Sequence, residues 1–400
     1  MEQLQALQKG FTAQFGYAPE RFFSAPGRTE LGGNHTDHQQ GCVLAAAVEL
    51  DTRAAVSLSG TRTIRLLSEG YPLLEISLDD LTVHADEKNT TAALVRGVAA
   101  GFARRGVALG GFDACVTSSV LPGSGLSSSA AFEVLLGTVM NALFSGGLDA
   151  VEIAKIAQFA ENVYFGKPCG LMDQMASSVG GCVFIDFADP DAPVIEPVSF
   201  DFSHSGHTLC IIDSGASHAD LTEEYAAIPA ELGKVCAVFG KKVLRQVPEE
   251  DFYNKISQVR AAAGDRAVLR AMHVYNDNRL VLEEAEALRR GDFDAFLSCV
   301  NRSGISSQLF LQNVIPTGAA AHQEVALALA LARRALQGRG ACRVHGGGFA
   351  GTIQAFVPNE LLDAFRAEME AVLGEGSCHV LSVRPTGGAE WAAKPDTRSR

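Results

Sequence analysis

Across 400 residues, 33 lysines and arginines stand against 46 aspartates and glutamates, a formal charge of −13, with 47% hydrophobic and 20% charged side chains. A chain this long buries a sizeable core and is expected to form two packed domains. Its acidic balance disfavours nucleic acid and anionic membrane as partners, so any phosphate it handles must meet local donors. No apolar run approaches the roughly 20 residues that span a bilayer, and the first residues lack a cationic start followed by an apolar core. Nine scattered cysteines without a CxxC pair argue against a disulfide framework or a structural zinc. A cytoplasmic monomer with a small-molecule substrate is expected.

In chain order, β-rich segments come first, over 43–58, 63–68 and 74–78. A helical stretch over 91–104 precedes a strand over 112–120, then helical patterns over 127–144 and 150–165 and an apolar strand over 182–187. The turn cluster Asp189-Pro-Asp-Ala-Pro marks a seam, which divides the chain into domains of 1–200 and 201–400. Beyond it a strand over 207–213 leads into a mostly helical region reaching about residue 337. The chain then reads strand (341–345), glycine-rich turn, strand (352–357), helix (359–373) and strand (378–383). Strands mixed with helices without strict alternation predict an α+β fold rather than a doubly wound sheet.

Chemistry concentrates in three stretches. Leu121-Pro-Gly-Ser-Gly-Leu-Ser-Ser-Ser-Ala-Ala-Phe follows an apolar strand and opens an apolar-periodic helix. Gly123 and Gly125 let backbone approach a ligand, and Ser127, Ser128 and Ser129 sit where a helix begins with its N–H groups and positive dipole end outward. That is an anion site, whose hydroxyls can add a metal ligand; a capped helix behind a turn is the plain alternative. No GxxxxGK[ST] occurs, so no lysine of that loop reaches a phosphate. The second stretch, Ala25-Pro-Gly-Arg-Thr-Glu-Leu-Gly-Gly-Asn-His-Thr-Asp-His-Gln-Gln-Gly, reads as a loop offering donors and acceptors to a polyhydroxylated ligand. Its His35, Asp37 and His38 also resemble part of the HxHxDH of dinuclear hydrolases, with the first histidine missing. The third, Val344-His-Gly-Gly-Gly-Phe-Ala-Gly-Thr, matches the dinucleotide GxGxxG, but a strand follows it where a helix is required. Its His-Gly-Gly-Gly resembles an esterase oxyanion loop without any GxSxG elbow to serve it. A glycine-rich hairpin remains.

In this order the three stretches resemble the motifs of the GHMP kinases, and the first stretch of the chain, with Glu161-Asn-Val-Tyr-Phe-Gly-Lys-Pro-Cys-Gly-Leu-Met-Asp-Gln, is similar to the galactokinase branch. The resemblance covers about residues 20 to 390. It implies a two-domain GHMP kinase fold, an N-terminal domain like ribosomal S5 domain 2 and a ferredoxin-like C-terminal domain, and ATP-dependent phosphorylation of galactose on its anomeric hydroxyl. By that resemblance Asp173 is the catalytic aspartate and Arg28 stabilises the transition state. Ser129 and Glu161 hold Mg2+. ATP lies against Ser68, Gly123, Ser124, Gly125, Leu126, Ser127, Ser128 and Ser129. The sugar meets Asn34, His35, Thr36, Asp37, Gly170 and Tyr225.

Two departures bear on the sugar. Galactokinases usually read Gly-Glu-His-Thr-Asp-Tyr where this chain reads Gly33-Asn-His-Thr-Asp-His38. Asn34 replaces a carboxylate that faces the C6 hydroxyl, a change that tolerates a C6 carboxylate because it removes a like charge. Asp213-Ser-Gly-Ala-Ser-His218 stands where the family usually has an Asn/Thr-rich stretch with arginine. Galactose is the expected substrate, with galacturonate or N-acetylgalactosamine as alternatives and a non-catalytic sugar and ATP sensor as the reading from another class.

Overall fold

In a computed structural model, residues 2–120, 125–167, 169–217 and 221–391 are described. The first half runs α1 (Glu2–Phe15), β1 (Arg21–Gly32), β2 (Cys42–Leu58), β3 (Thr63–Ser68), β4 (Leu74–Ser77), α2 (Thr91–Arg104), β5 (Phe112–Ser118), α3 (Ser128–Leu143) and α4 (Ala150–Phe159). A π-helical turn (Ala160–Phe165), α5 (Met172–Val179), β6 (Cys182–Asp186) and β7 (Val194–Val198) complete it. The second half runs β8 (His207–Asp213), α6 (Thr222–Ala237), α7 (Glu249–Asn254), α8 (Ile256–Ala263), α9 (Asp265–Arg289), α10 (Phe293–Ser306) and α11 (Glu324–Leu336). It ends with β9 (Ala341–Val344), β10 (Thr352–Pro358), α12 (Leu362–Leu373), β11 (Cys378–Leu381) and β12 (Ala389–Glu390).

The long strand β2 organises the first sheet. β1 runs antiparallel along its length, β6 pairs with its first residues (Cys42–Ala46) and β5 with its last (Thr52–Leu58). The order is β12-β1-β2-β5-β3-β4, with β6 on β2 and β7 outside β6. Its core is apolar: Val56, Leu66 and Ala114 of the sheet meet Val98, Phe102, Leu135 and Ile156 of α2, α3 and α4. The second sheet is antiparallel in the order β11-β8-β10-β9. With its helices it traces the β-α-β-β-α-β path of ferredoxin-like units. A shared cluster joins the two halves, with Leu31 and Leu44 packed with Ile211, Val281, Phe296 and Phe356. The chain finally returns to the first sheet, where β12 pairs with Phe23 and Ser24 of β1 and Arg384 N–H donates to the Ala47 carbonyl. The expected α+β class holds. Among the described residues, no helix is long and apolar enough to cross a membrane.

Three sequence readings change. Residues 25–32, read as part of a loop, lie in strand β1, bulged between Pro26 and Arg28 and again between Glu30 and Gly32. The bulges shift side-chain direction along an otherwise buried strand. Helix α1, not foreseen, lays Leu7 and Phe11 against Ala55 and Cys115. Helix α5, also unforeseen, begins one residue before Asp173.

Candidate active site

Strand β1 and helices α3 and α5 bring together residues about 145 positions apart in sequence. Arg28, 7% exposed, donates Nε–H to Asp173 Oδ1 at 2.7 Å and Nη1–H to the Gly125 carbonyl at 2.5 Å. The other carboxylate oxygen of Asp173 accepts from Ser127 Oγ at 2.5 Å. Burial alone would raise the Asp173 carboxyl, but the Arg28 charge and hydrogen bond, with Ser127, outweigh it and hold the group below its usual value. Ser127 reaches Asp173 from a left-handed backbone (φ +58°), and its hydroxyl does not cap α3. A non-glycine residue held there is strained.

The start of α3 presents the N–H groups that have no partner within the helix. Ser129 Oγ donates to Glu161 Oε1 at 3.2 Å, and the same oxygen accepts from Lys167 Nζ at 3.1 Å. Glu161, 2% exposed, sits in the π-helical turn, a distortion frequent at functional sites. Gln174 bridges its other oxygen to the buried Glu133, whose carboxyl burial and the Glu161 charge push well above its usual value. Gly123 and Ser124 lie outside the described residues.

Two clefts meet at Arg28 and Asp173. One, of about 300 Å³, is bounded by Gly125, Ser127, Ser128, Ser129 and the turn from His345 to Thr352. The other, of about 220 Å³, is bounded by Glu30, His35, Asp37, His38, Cys169 and Gly170. The glycine-rich hairpin, uninformative in sequence, contributes Gly346 and Gly347 to both. Gly348 of that turn has φ +77°, and a Cβ there would lie 2.2 Å from the Asn313 carbonyl oxygen. His345 beside it is buried. Its Nε2 accepts from the Glu30 N–H at 3.3 Å and its Nδ1 faces Thr352 Oγ1 at 3.0 Å. Burial, with Arg28 and Arg343 nearby, drives its basicity well down.

The predicted sugar residues divide. Asp37 and Gly170 line the second cleft in close contact, since a Cβ on Gly170 would lie 2.5 Å from Asp37 Oδ2. His35 (φ +62°) lines it too, with Nε2 on the Gly347 carbonyl at 2.9 Å, and burial lowers its pKa to about 4. Thr36 turns inward, its Oγ1 within 2.8 Å of the Gly33 carbonyl and 2.6 Å of that of Cys42. Tyr225 donates to the Gly348 carbonyl at 2.8 Å and packs edge-on against Phe349, so it braces the glycine turn. Leu126 is buried, and its carbonyl accepts the Arg28 N–H at 3.0 Å. Ser68 lies apart, in a pocket of about 370 Å³ with Tyr71, Pro72, Leu74 and Thr91.

Asn34 lines the second cleft but is fully buried, its Nδ2 donating to the Gly346 carbonyl at 2.6 Å and to Glu30 at 3.2 Å. Its Oδ1 accepts from Asn313 Nδ2 at 2.8 Å and Ser307 Oγ at 3.3 Å. Backbone bonds to Asp277 and His273 of α9 fix the same residue. These partners, with Arg343 paired to Glu30, are residues the sequence reading missed. Their signal was a run of polar residues on one face of α9 (Arg270, His273, Asp277, Glu284), all buried.

His35, Asp37 and His38 do not form a metal cluster: among the described residues, no three His, Cys, Asp or Glu side chains converge that way. A larger cleft of about 940 Å³, between Gly180–Cys182 and strands β8 and β11, holds none of the predicted site residues.

The galactokinase galactose-binding signature matches residues 9–58, which contain Arg28 to Asp37, and the GHMP kinase N-terminal domain matches residues 93–181, which contain the seryl loop, Glu161 and Asp173. Both matches make the chain similar to the GHMP kinases, and to galactokinases in particular. It is an enzyme, a galactokinase-like phosphotransferase with an alcohol group as acceptor. Among solved GHMP kinase structures it superposes on Lactococcus lactis galactokinase complexed with galactose with a TM-score of 0.81, at 25% identity over 97% of this chain and 100% of that one. The likeness to L. major mevalonate kinase in complex with R-mevalonate is weaker, a TM-score of 0.62 at 16% identity over 92% and 99% of the two chains. Streptococcus pneumoniae phosphomevalonate kinase, in complex with phosphomevalonate and AMPPNP, gives 0.60 at 13%, over 91% and 98%. The last two show a shared fold alone.

Proposed function

We propose that this chain uses ATP to phosphorylate galactose on its anomeric hydroxyl. The observation that carries the reading is the Arg28–Asp173–Ser127 cluster at the junction of a helix-start anion cleft and a cleft lined by the galactose-signature residues. The γ-phosphate enters the first cleft against the N–H groups of α3, and the sugar enters the second against His35, Asp37 and Gly170. Asp173 accepts the proton of the attacking hydroxyl while the new O–P bond forms and the bond to the β-phosphate oxygen breaks. Arg28, fixed by Asp173 and the Gly125 carbonyl, neutralises charge on the transferred group. The Ser68 pocket suits the nucleoside end, and the two domains divide near residue 200. Ser129 and Glu161 offer the hard oxygens that suit Mg2+, which supplies charge neutralisation at the phosphates when bound. The commitment of both amide atoms of Asn34 to protein partners takes away the reason to prefer a C6 carboxylate, which favours galactose.

The test is ATP consumption with galactose, galacturonate, N-acetylgalactosamine, glucose and arabinose, with the product's phosphate located by phosphorus–proton coupling. Galactose turnover giving a 1-phosphate is expected. Faster turnover of galacturonate, or a phosphate on another hydroxyl, overturns the reading.

A further inference from the structure

Most residues at the junction of the two clefts are accounted for by the transfer just described; one charged side chain is not. Among the described residues, three charged side chains line both clefts: Arg28, Asp173 and Lys167. The first two bond each other. Lys167 comes from the connection between the π-helical turn and α5, well away in sequence from the seryl loop, which has no lysine of its own. Its backbone is pinned, because the N–H groups of Gly166 and Lys167 both donate to the Glu161 carbonyl, at 3.0 and 3.2 Å. Its side chain is not: it is 61% exposed, and its ammonium rests on Glu161 Oε1 at 3.1 Å, the same oxygen that accepts from Ser129.

We infer that Lys167 is the ammonium that meets the transferred phosphoryl group, taking from a different loop the part that a lysine plays in common phosphate-binding loops. This deepens the proposed function and rests on it. Three features carry the inference. The site carries carboxylates before any nucleotide arrives, with Glu161 and Asp173 both beside the first cleft and Arg28 already engaged by Asp173. An incoming triphosphate adds more negative charge, so a cation not locked into a bidentate pair is what the cleft needs. Lys167 meets that description. A lysine ammonium is a compact charge on a flexible stem, and its single contact to Glu161 can be exchanged for a phosphate oxygen without moving the backbone. Its position on the boundary of both clefts also puts it beside the bond being made rather than over the nucleoside. It is therefore expected to discriminate the γ-phosphate from its absence.

The experiment compares binding of AMPPNP and ADP by calorimetry, in magnesium, to the unmodified protein, Lys167→Met and Lys167→Arg, with kcat and galactose KM measured in parallel. Lys167→Met keeps the length of the apolar stem, and the side chain is exposed enough for the fold to tolerate it. AMPPNP affinity is expected to fall about tenfold or more with ADP affinity unchanged, the loss of one hydrogen bond to a charged group. kcat should fall with it, galactose KM should stay level, and Lys167→Arg should recover the preference for AMPPNP. Two results overturn the inference: AMPPNP affinity within about twofold of the unmodified protein, or a rise in sugar KM with the AMPPNP preference intact, which would assign Lys167 to the sugar. An unmodified protein that binds neither nucleotide would sink the kinase reading itself, a different and recognisable failure.

Discussion

Asp173→Asn is the perturbation that separates chemistry from binding. The amide keeps the shape of the carboxylate and one oxygen able to accept from Arg28 Nε or from Ser127, but it removes the charge and the site that takes the hydroxyl proton. A positioned general base contributes about 10²–10⁴-fold, so kcat is expected to fall by about that much. Nucleotide affinity should hold, because the start of α3 and Ser129 are untouched. The stability cost follows from the exposure of the pair. The Arg28 side chain is 8% exposed and that of Asp173 31%. Weakening one such charge-assisted bond costs on the order of 1–3 kcal/mol, less for the solvent that reaches Asp173. The sign with pH is fixed by the direction of the shift. Asp173 is held below its usual value, so its contribution is present above the ordinary carboxylate range and lost as pH falls below it. The stability gap between parent and variant should therefore close on acidification below about pH 4. The assay is ADP release with galactose beside AMPPNP titration and urea unfolding at neutral and acidic pH. A variant with kcat within about tenfold of the parent would refute the general-base role.

Asn34→Glu places a carboxylate among Glu30 and Asp277 and removes the donor to the Gly346 carbonyl. Destabilisation of about 3 kcal/mol or more is expected from an unpaired buried charge, with urea unfolding as the measure; an unchanged midpoint together with reversed sugar preference would instead put Asn34 in contact with the sugar. Chelation of magnesium should abolish turnover and its return restore it, through the Ser129 and Glu161 oxygens. Activity dependent on stoichiometric zinc would contradict this and bring back the hydrolase alternative for His35, Asp37 and His38.

Much of the site was legible in the sequence because its parts are local motifs. Gly-Ser-Gly-Leu-Ser-Ser-Ser before an apolar-periodic stretch states a tight turn and a helix start by residue type alone, and α3 begins at Ser128 as that pattern requires. Strands β2 to β6 and β8 to β11 were visible for the same reason, since β-branched and aliphatic runs bounded by turn residues are a short-range signal, whereas β1, β7 and β12 were not. What the sequence did not state is which way side chains point where the backbone is irregular. Arg28 lies on a strand whose bulges redirect it, and Ser127 in a left-handed conformation that sends its hydroxyl to Asp173 instead of to its own helix. Residue chemistry gives no warning of either. Asn34 shows the larger gap. Its polarity within a ligand-binding motif reads as a contact to substrate, yet a polar side chain can equally be consumed by buried partners, and those partners come from residues 273, 277, 307, 313 and 346. Helix α9 hid its share because its inward face is polar, which blurs the 3.6-residue alternation on which sequence reading depends. Motif order was enough to point to the family and the chemistry; the division of each motif between substrate and scaffold was decided only when distant segments competed for the same hydrogen bonds, because burial without a partner is what a polar group cannot sustain.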